Sequence, residues 1–247
     1  MRVTIHPCPA FPPALPPAAD EVRVWVVHLD RPPADPAELL TALTPDERDR
    51  AERYRAGAVR QQFVIGRGLL RRALGGCLGL RPHVVPITYT AAGKPVLAAN
   101  DPADPLHFNL THTAGVVLIA VARRRVGVDV EGLREVPGME GLVDRFFSPA
   151  ERDAFRGLPA GRRPAAFFRG WTCKEAVIKA AGATVQCLDA FDVELDPGRP
   201  PAVLAVRDPA LAGSGWAVTD WEPVPGFTAA VAVETTGLVR VCEAVGP

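Results

Sequence analysis

The chain has 247 residues, enough for one large domain or two small ones around a sizeable core. Lys plus Arg equals Asp plus Glu at 28 each, so nothing global points to nucleic acid or an anionic membrane as partner. The five cysteines are scattered without a C-x-x-C pair, which argues against a zinc site and for a reducing, cytoplasmic location. The longest apolar run, residues 114–122, is too short to span a bilayer. In chain order, the Pro-rich stretch 1–20 reads as a flexible leader. Residues 21–30 are Val-rich and alternate, which predicts a strand. Residues 32–80 have helical spacing, with Thr44 and Pro45 suited to a helix start and Gly75-Gly76 to a stop or break. Short strands follow at 84–90, 94–97 and 107–113. The span 114–133 reads as a hairpin about an Arg-rich turn.

Residues 138–158 predict two short helices, the second opened by Ser148 and Pro149. A longer helix runs from near Pro164 to Gly182, and three strands at 187–196, 216–226 and 227–235 close the chain. Strands and helices mix in both halves, so the fold class is α+β, with units at 21–125 and 126–247.

The helix after Pro164 raises the first chemical question. At about 100° per residue, Ile178 falls about 20° to one side of Trp171 and Glu175 about 40° to the other. A carboxylate within an apolar arc is costly unless it is paired or binds a metal. An i,i+4 pair with Lys179 is the plain explanation, but it leaves the inward position unaccounted for. Cys173 falls off the stripe, with no His close in sequence, and reads as a bystander.

The segment VGVDVEG, residues 126–132, supplies a second cluster. In a strand, Gly127, Asp129 and Glu131 share a face, and Gly127 admits a ligand or a backbone at close range. A solvated strand face is the commoner fate of such a pair. Convergence of Asp129, Glu131 and Glu175 would instead make an all-oxygen site suited to Mg²⁺ and phosphate, with Lys174 and Lys179 nearby as cations.

VGVDVE followed by WTCKEAVIK (Trp171 to Lys179) resembles the signature of the 4′-phosphopantetheinyl transferases. Gly93-Lys94-Pro95, FNLTHT (108–113), RFFSPAE (145–151) and DWEPVPGFTAAVAV (220–233) resemble further blocks of that family, in order. The likeness runs from about Glu21 to about Glu234 and is to the monomeric, surfactin-synthetase-activating (Sfp) type. It implies two similar subdomains related by a pseudo-twofold axis, with the active site at their interface. It also implies transfer of the 4′-phosphopantetheine group from coenzyme A to a serine of an apo acyl or peptidyl carrier protein, with release of adenosine 3′,5′-bisphosphate.

The resemblance further implies Asp129, Glu131 and Glu175 as ligands of Mg²⁺, with Mn²⁺ as the alternative ion, and Glu175 as general base, directly or through a water. Lys179 would contact the pyrophosphate, Lys174 carries over as a signature cation, and His112 and Lys94 would hold coenzyme A phosphates and adenine. From the Arg-rich segment 48–72, Arg50 and Arg67 would hold the 3′-phosphate, although Glu47 stands where the family often has a base. The expected partner is a carrier protein, not nucleic acid or membrane, and the enzyme is expected to be a monomer. Only Ser148 and Ser214 are present, neither in G-x-S-x-G, which excludes a serine hydrolase of that type. No P-loop or kinase motif is visible. The rival reading is a non-catalytic nucleotide- or nucleic-acid-binding module that uses the Arg-rich segment and needs no Mg²⁺.

Overall fold

The computed structural model describes residues 1–7, 15–98, 101–213, 215–235, 237 and 240–243. The first half contains β1 (Arg2–Pro7), β2 (Glu21–His28), α1 (Pro36–Thr41), α2 (Pro45–Glu52), α3 (Gly57–Leu78), β3 (Ile87–Tyr89), β4 (Pro95–Leu97), β5 (His107–Thr113) and β6 (Val116–Ala122). The second contains β7 (Val126–Gly132), α4 (Met139–Phe146), α5 (Pro149–Gly157), α6 (Arg163–Ala181), β8 (Phe191–Val193), β9 (Val203–Val206), α7 (Pro209–Ala212), β10 (Trp216–Trp221), β11 (Phe227–Glu234) and β12 (Arg240–Glu243).

Two sheets stack between two long helices. The first sheet has the order β12-β1-β2-β6-β5 and the second β10-β11-β7. Alternation along β2 sends Trp25 and Val27 toward α3, where they meet Ile65, Leu69 and Leu74. Val22, Val24 and Val26 point the other way, onto Val126, Val128 and Val130 of β7 and Val231 of β11. The reverse face of β11 presents Ala230 and Ala232 to α6. Three apolar layers therefore bind α3, the first sheet, the second sheet and α6 in series, each buried large side chain contributing about 1.5–3 kcal/mol.

The two halves run through the same sequence of elements. In each, a first strand (β2, β7) leads through helices to a two-stranded ribbon (β3-β4, β8-β9). A hairpin follows, whose second strand (β6, β11) pairs antiparallel with the first. The repeat extends to side chains. Thr44 and Ser148 each begin a helix with Pro next and a Glu at the third position that closes a capping box. Those glutamates then hold a buried cation of the long helix. Glu47 takes Arg71, and Glu151 takes Lys174.

Several expectations change. Residues 2–7 are not a flexible leader. Val3 and Ile5 are buried and β1 pairs in parallel with both β2 and β12, while residues 8–14 lie outside the described residues. Through β12 the end of the chain returns to the first half's sheet. Residues 114–133 are not a hairpin. β6 pairs with β2 and β5, β7 pairs with β11, and Arg123–Arg125 carries the chain from one sheet to the other. Both strands are apolar on faces that stack, so facing layers replace a shared ladder. The segment 32–80 is three helices, and α3 passes through Gly75 to end at Gly79, which has φ 65°. Gly75 is a contact, since a Cβ there would stand 2.6 Å from the Leu80 carbonyl oxygen.

Candidate functional site

Strand β7 lies directly beneath α6, and Gly127 makes that approach possible. A Cβ at Gly127 would lie 2.1 Å from the Ala176 carbonyl oxygen and 2.4 Å from the Ala180 nitrogen. The close neighbour is thus backbone, the second of the two expectations for this glycine. The next residue on the same face, Asp129, is brought against Lys179 of α6. Its Oδ1 accepts from Lys179 Nζ at 2.6 Å and from Thr111 Oγ1 at 3.1 Å. Lys179 Nζ also stands 3.8 Å from Glu175 Oε2.

Asp129 is 4 % exposed, and its Oδ2 has no hydrogen-bond partner. Burial pushes its carboxyl above the usual carboxylate range against the pull of Lys179. Burial likewise raises Glu175, with the Asp129 and Glu131 charges adding to the rise. Glu131, at the rim, accepts from Arg134 Nη1 at 2.9 Å. The three carboxylates therefore share one electrostatic neighbourhood, with Lys179 among them. Among the described residues, no three His, Cys, Asp or Glu side chains stand close enough to hold a metal ion as they are. The donor chemistry nonetheless fits a hard divalent ion. All donors are oxygens, one is orphaned and buried, and ammonium and guanidinium now balance the negative charge.

Strand β5 joins this cluster to a cavity. Its alternation sends Asn109 and Thr111 toward β7, where Asn109 Oδ1 accepts from the Val128 amide at 2.9 Å. Leu110 and His112 point the other way, into a cavity of about 340 Å³. Arg50, Tyr54, Phe63, Arg67 and Tyr89 complete its wall. His112 Nδ1 is 2.6 Å from Gln62 Nε2. Burial lowers the pKa of His112, with the nearby Lys179 charge adding to the fall. Arg50 sits over the Phe63 ring. Arg67 donates to Glu47 Oε1 and to the Tyr89 hydroxyl, each at 2.5 Å.

Of the site residues expected from sequence, Asp129, Glu175 and Lys179 converge, with Glu131 at their edge. Arg50, Arg67 and His112 converge on the cavity. Lys94 does not line it. Lys94 Nζ donates to the Ala180 carbonyl oxygen at 3.0 Å beside a separate cavity of about 270 Å³. Lys174 is a correction. It is 1 % exposed, and its ammonium donates to both Glu151 oxygens and to the Phe191 carbonyl oxygen, all at 2.7 Å. A side chain so enclosed does not face a ligand.

Cys173 is also buried, and burial pushes its thiol to high pKa. The reason is shared. α6 is covered by β7 and β11 on the side opposite Trp171, so one apolar stripe does not describe it. Sequence reasoning missed Thr111 and Asn109 as bridges to β7, though alternation in FNLTHT placed them on one face. It also missed Gln62, Tyr54, Phe63 and Tyr89, which carry no motif. Glu47, where the family often has a base, anchors two guanidinium groups.

Comparison with known proteins identifies the family. Residues 125–231 match the family profile described as the 4′-phosphopantetheinyl transferase superfamily, and residues 33–124 match 4′-phosphopantetheinyl transferase, N-terminal. The chain is 38 % identical to 4′-phosphopantetheinyl transferase HetI of Nostoc, over 92 % of this chain and 93 % of that protein. It is 23 % identical to 4′-phosphopantetheinyl transferase Sfp of Bacillus subtilis, over 70 % of this chain and 77 % of the other. A looser structural likeness is to the Helicobacter pylori holo-[acyl-carrier-protein] synthase solved with coenzyme A. Its TM-score is 0.33 and its identity 18 %, over 44 % of this chain and 97 % of that one. The chain is an enzyme of the transferase class, and it belongs to the 4′-phosphopantetheinyl transferase superfamily.

Proposed function

We propose that the protein moves the 4′-phosphopantetheine group of coenzyme A onto a serine of an apo acyl or peptidyl carrier protein. The observation that carries this reading is the adjacency of a buried carboxylate cluster and a cationic, aromatic-walled cavity, linked by one strand, β5. The cavity suits the adenosine bisphosphate end of coenzyme A. Arg50 and Arg67 offer charge to phosphate, and Tyr54, Phe63 and Tyr89 offer ring faces to adenine.

In the reaction the carrier serine oxygen forms a bond to the β-phosphorus, and the bond from that phosphorus to the bridging oxygen breaks. Adenosine 3′,5′-bisphosphate departs with the bond's electron pair, and the serine proton passes to Glu175, directly or through a water. Burial raises Glu175 in the metal-free protein, whereas a bound cation would weaken it as a base and favour the route through a water. Lys179, between Asp129 and Glu175, places positive charge beside the pyrophosphate. Asp129, Glu131 and Glu175 would hold Mg²⁺, which supplies charge stabilisation for the phosphoryl oxygens. Thr111 keeps Asp129 oriented. The working form is a cytoplasmic monomer. No helix among the described residues is long and apolar enough to cross a membrane.

The deciding assay incubates the protein with coenzyme A, Mg²⁺ and several apo carrier domains and reads intact mass. A gain of one phosphopantetheinyl group is expected. No gain on any carrier, with the protein folded, overturns the reading. Retention of nucleic acid at low salt, lost as salt rises, would favour the binding-module alternative.

A further inference from the structure

The last carbonyls of a helix lack partners within it, and those of α6 lie at the seam between the two halves. Gly182, at φ 76°, ends the helix, and its amide and that of Ala183 both turn back to the Ile178 carbonyl oxygen. The Ala180 carbonyl is instead met from the first half, by Lys94 Nζ at 3.0 Å. Lys94 sits on the turn between β3 and β4, where Gly93 takes φ 81° and Thr90 closes the turn by accepting from the Gly93 amide. That hairpin carries Tyr89 and Pro95 into the wall of the main cavity. The turn of α6 that Lys94 grips is the one bearing Lys179, with Glu175 one turn back.

We propose that Lys94 is a positioning residue: by holding the end of α6 against the β3–β4 hairpin, it fixes the acidic cluster at its working distance from the coenzyme A cavity. The inference rests on the proposed function for its kinetic consequence, but the contact itself is independent of it. The surroundings favour this role over simple stabilisation. Arg125 and His107 share the small cavity, and Glu234 is committed to Arg125 through two hydrogen bonds. The Lys94 ammonium has its pKa lowered to about 8, chiefly through burial and secondarily through Arg125. The contact that carries the role is the hydrogen bond from its Nζ to the Ala180 carbonyl oxygen across the seam.

The test compares Lys94→Met, which keeps the stem and removes the donor, with Lys94→Arg, which keeps the charge. Hydrogen exchange on the ligand-free proteins should show faster exchange at residues 181–183 and in β3–β4 for Lys94→Met, with no fall in Tm. The KM for coenzyme A should rise about tenfold with kcat within about twofold, because fewer molecules hold the binding-competent arrangement. Lys94→Arg should recover most of the KM.

Unchanged exchange in Lys94→Met overturns the proposal, whatever the kinetics. Unchanged exchange with weaker coenzyme A binding would make Lys94 a direct ligand. A lower Tm in Lys94→Met, or a KM within twofold of wild type, would also overturn the positioning role. If the wild-type protein transfers nothing, the functional reading fails, and the exchange and Tm measurements alone decide the clamp.

Discussion

Lys174→Met is the substitution that separates the sequence reading of this residue from the structural one. The ammonium and its partner Glu151 are 1 % and 2 % exposed at the side chain. Three hydrogen bonds of 2.7 Å end on the lysine nitrogen. Burial pushes the Glu151 carboxyl up and the Lys174 ammonium down, so each charge depends on the other. Removing the lysine leaves Glu151 with only the Ser148 and Val193 amides as donors, a buried and unbalanced carboxylate. The expected loss is about 3–5 kcal/mol of folding stability. For a chain of this length that lowers Tm by roughly 6–20 °C. Circular-dichroism melts and a urea titration would measure it. Replacing both partners, as Glu151→Leu with Lys174→Met, should recover much of the loss, since the unbalanced charge is gone. Calorimetric titration with coenzyme A, below the melting range, should give a Kd near that of the wild type. A Tm within about 2 °C of wild type combined with weakened coenzyme A binding would refute the argument and return Lys174 to the ligand.

Other outcomes follow from the same contacts. Gly127→Ala should displace α6 from β7, lowering the urea midpoint and abolishing transfer together, because the added carbon meets backbone with nowhere to move. Asp129→Asn and Glu175→Gln should each cut carrier modification by at least about a hundredfold while far-ultraviolet circular dichroism stays unchanged. Lys94 gives a pH signature of defined sign. Its folded pKa of about 8 lies below the ordinary 10.5, so the unfolded chain holds the extra proton between those values. Its contribution to stability therefore grows as pH rises from 8 toward 10.5, and Lys94→Met should lack that rise in urea titrations across the window.

The strand and helix of the candidate site were legible because their charges violate local rules. A Glu in an apolar arc and two carboxylates on one strand face ask for a shared partner, and the fold brings Glu175 and Asp129 to Lys179. Helix starts at Thr44 and Ser148 were legible from the capping residues. Pairing between distant strands was not. Nothing local in Arg2–Pro7 says that two parallel neighbours await it, and Val116–Gly132 reads as a hairpin because strand pattern does not encode partner. Lys174 was misassigned because its counter-charge, Glu151, lies on another helix. The aromatic lining of the cavity comes from the loop after α2, from α3 and from β3, at spacings no single motif joins.

The matched capping glutamates have a consequence for how the chain came to have one site. Each half carries the same armature, a Ser or Thr cap, a Glu, and a buried cation on the long helix. Yet β2 turns Trp25 toward its helix where β7 turns Asp129 toward its own. One copy filled the space under its helix with an indole and the other kept it ionised. Duplication of one unit followed by divergence would leave such an arrangement. Under the proposed function the first half is free to trade charge for packing, because the acidic strand of the second would carry the chemistry.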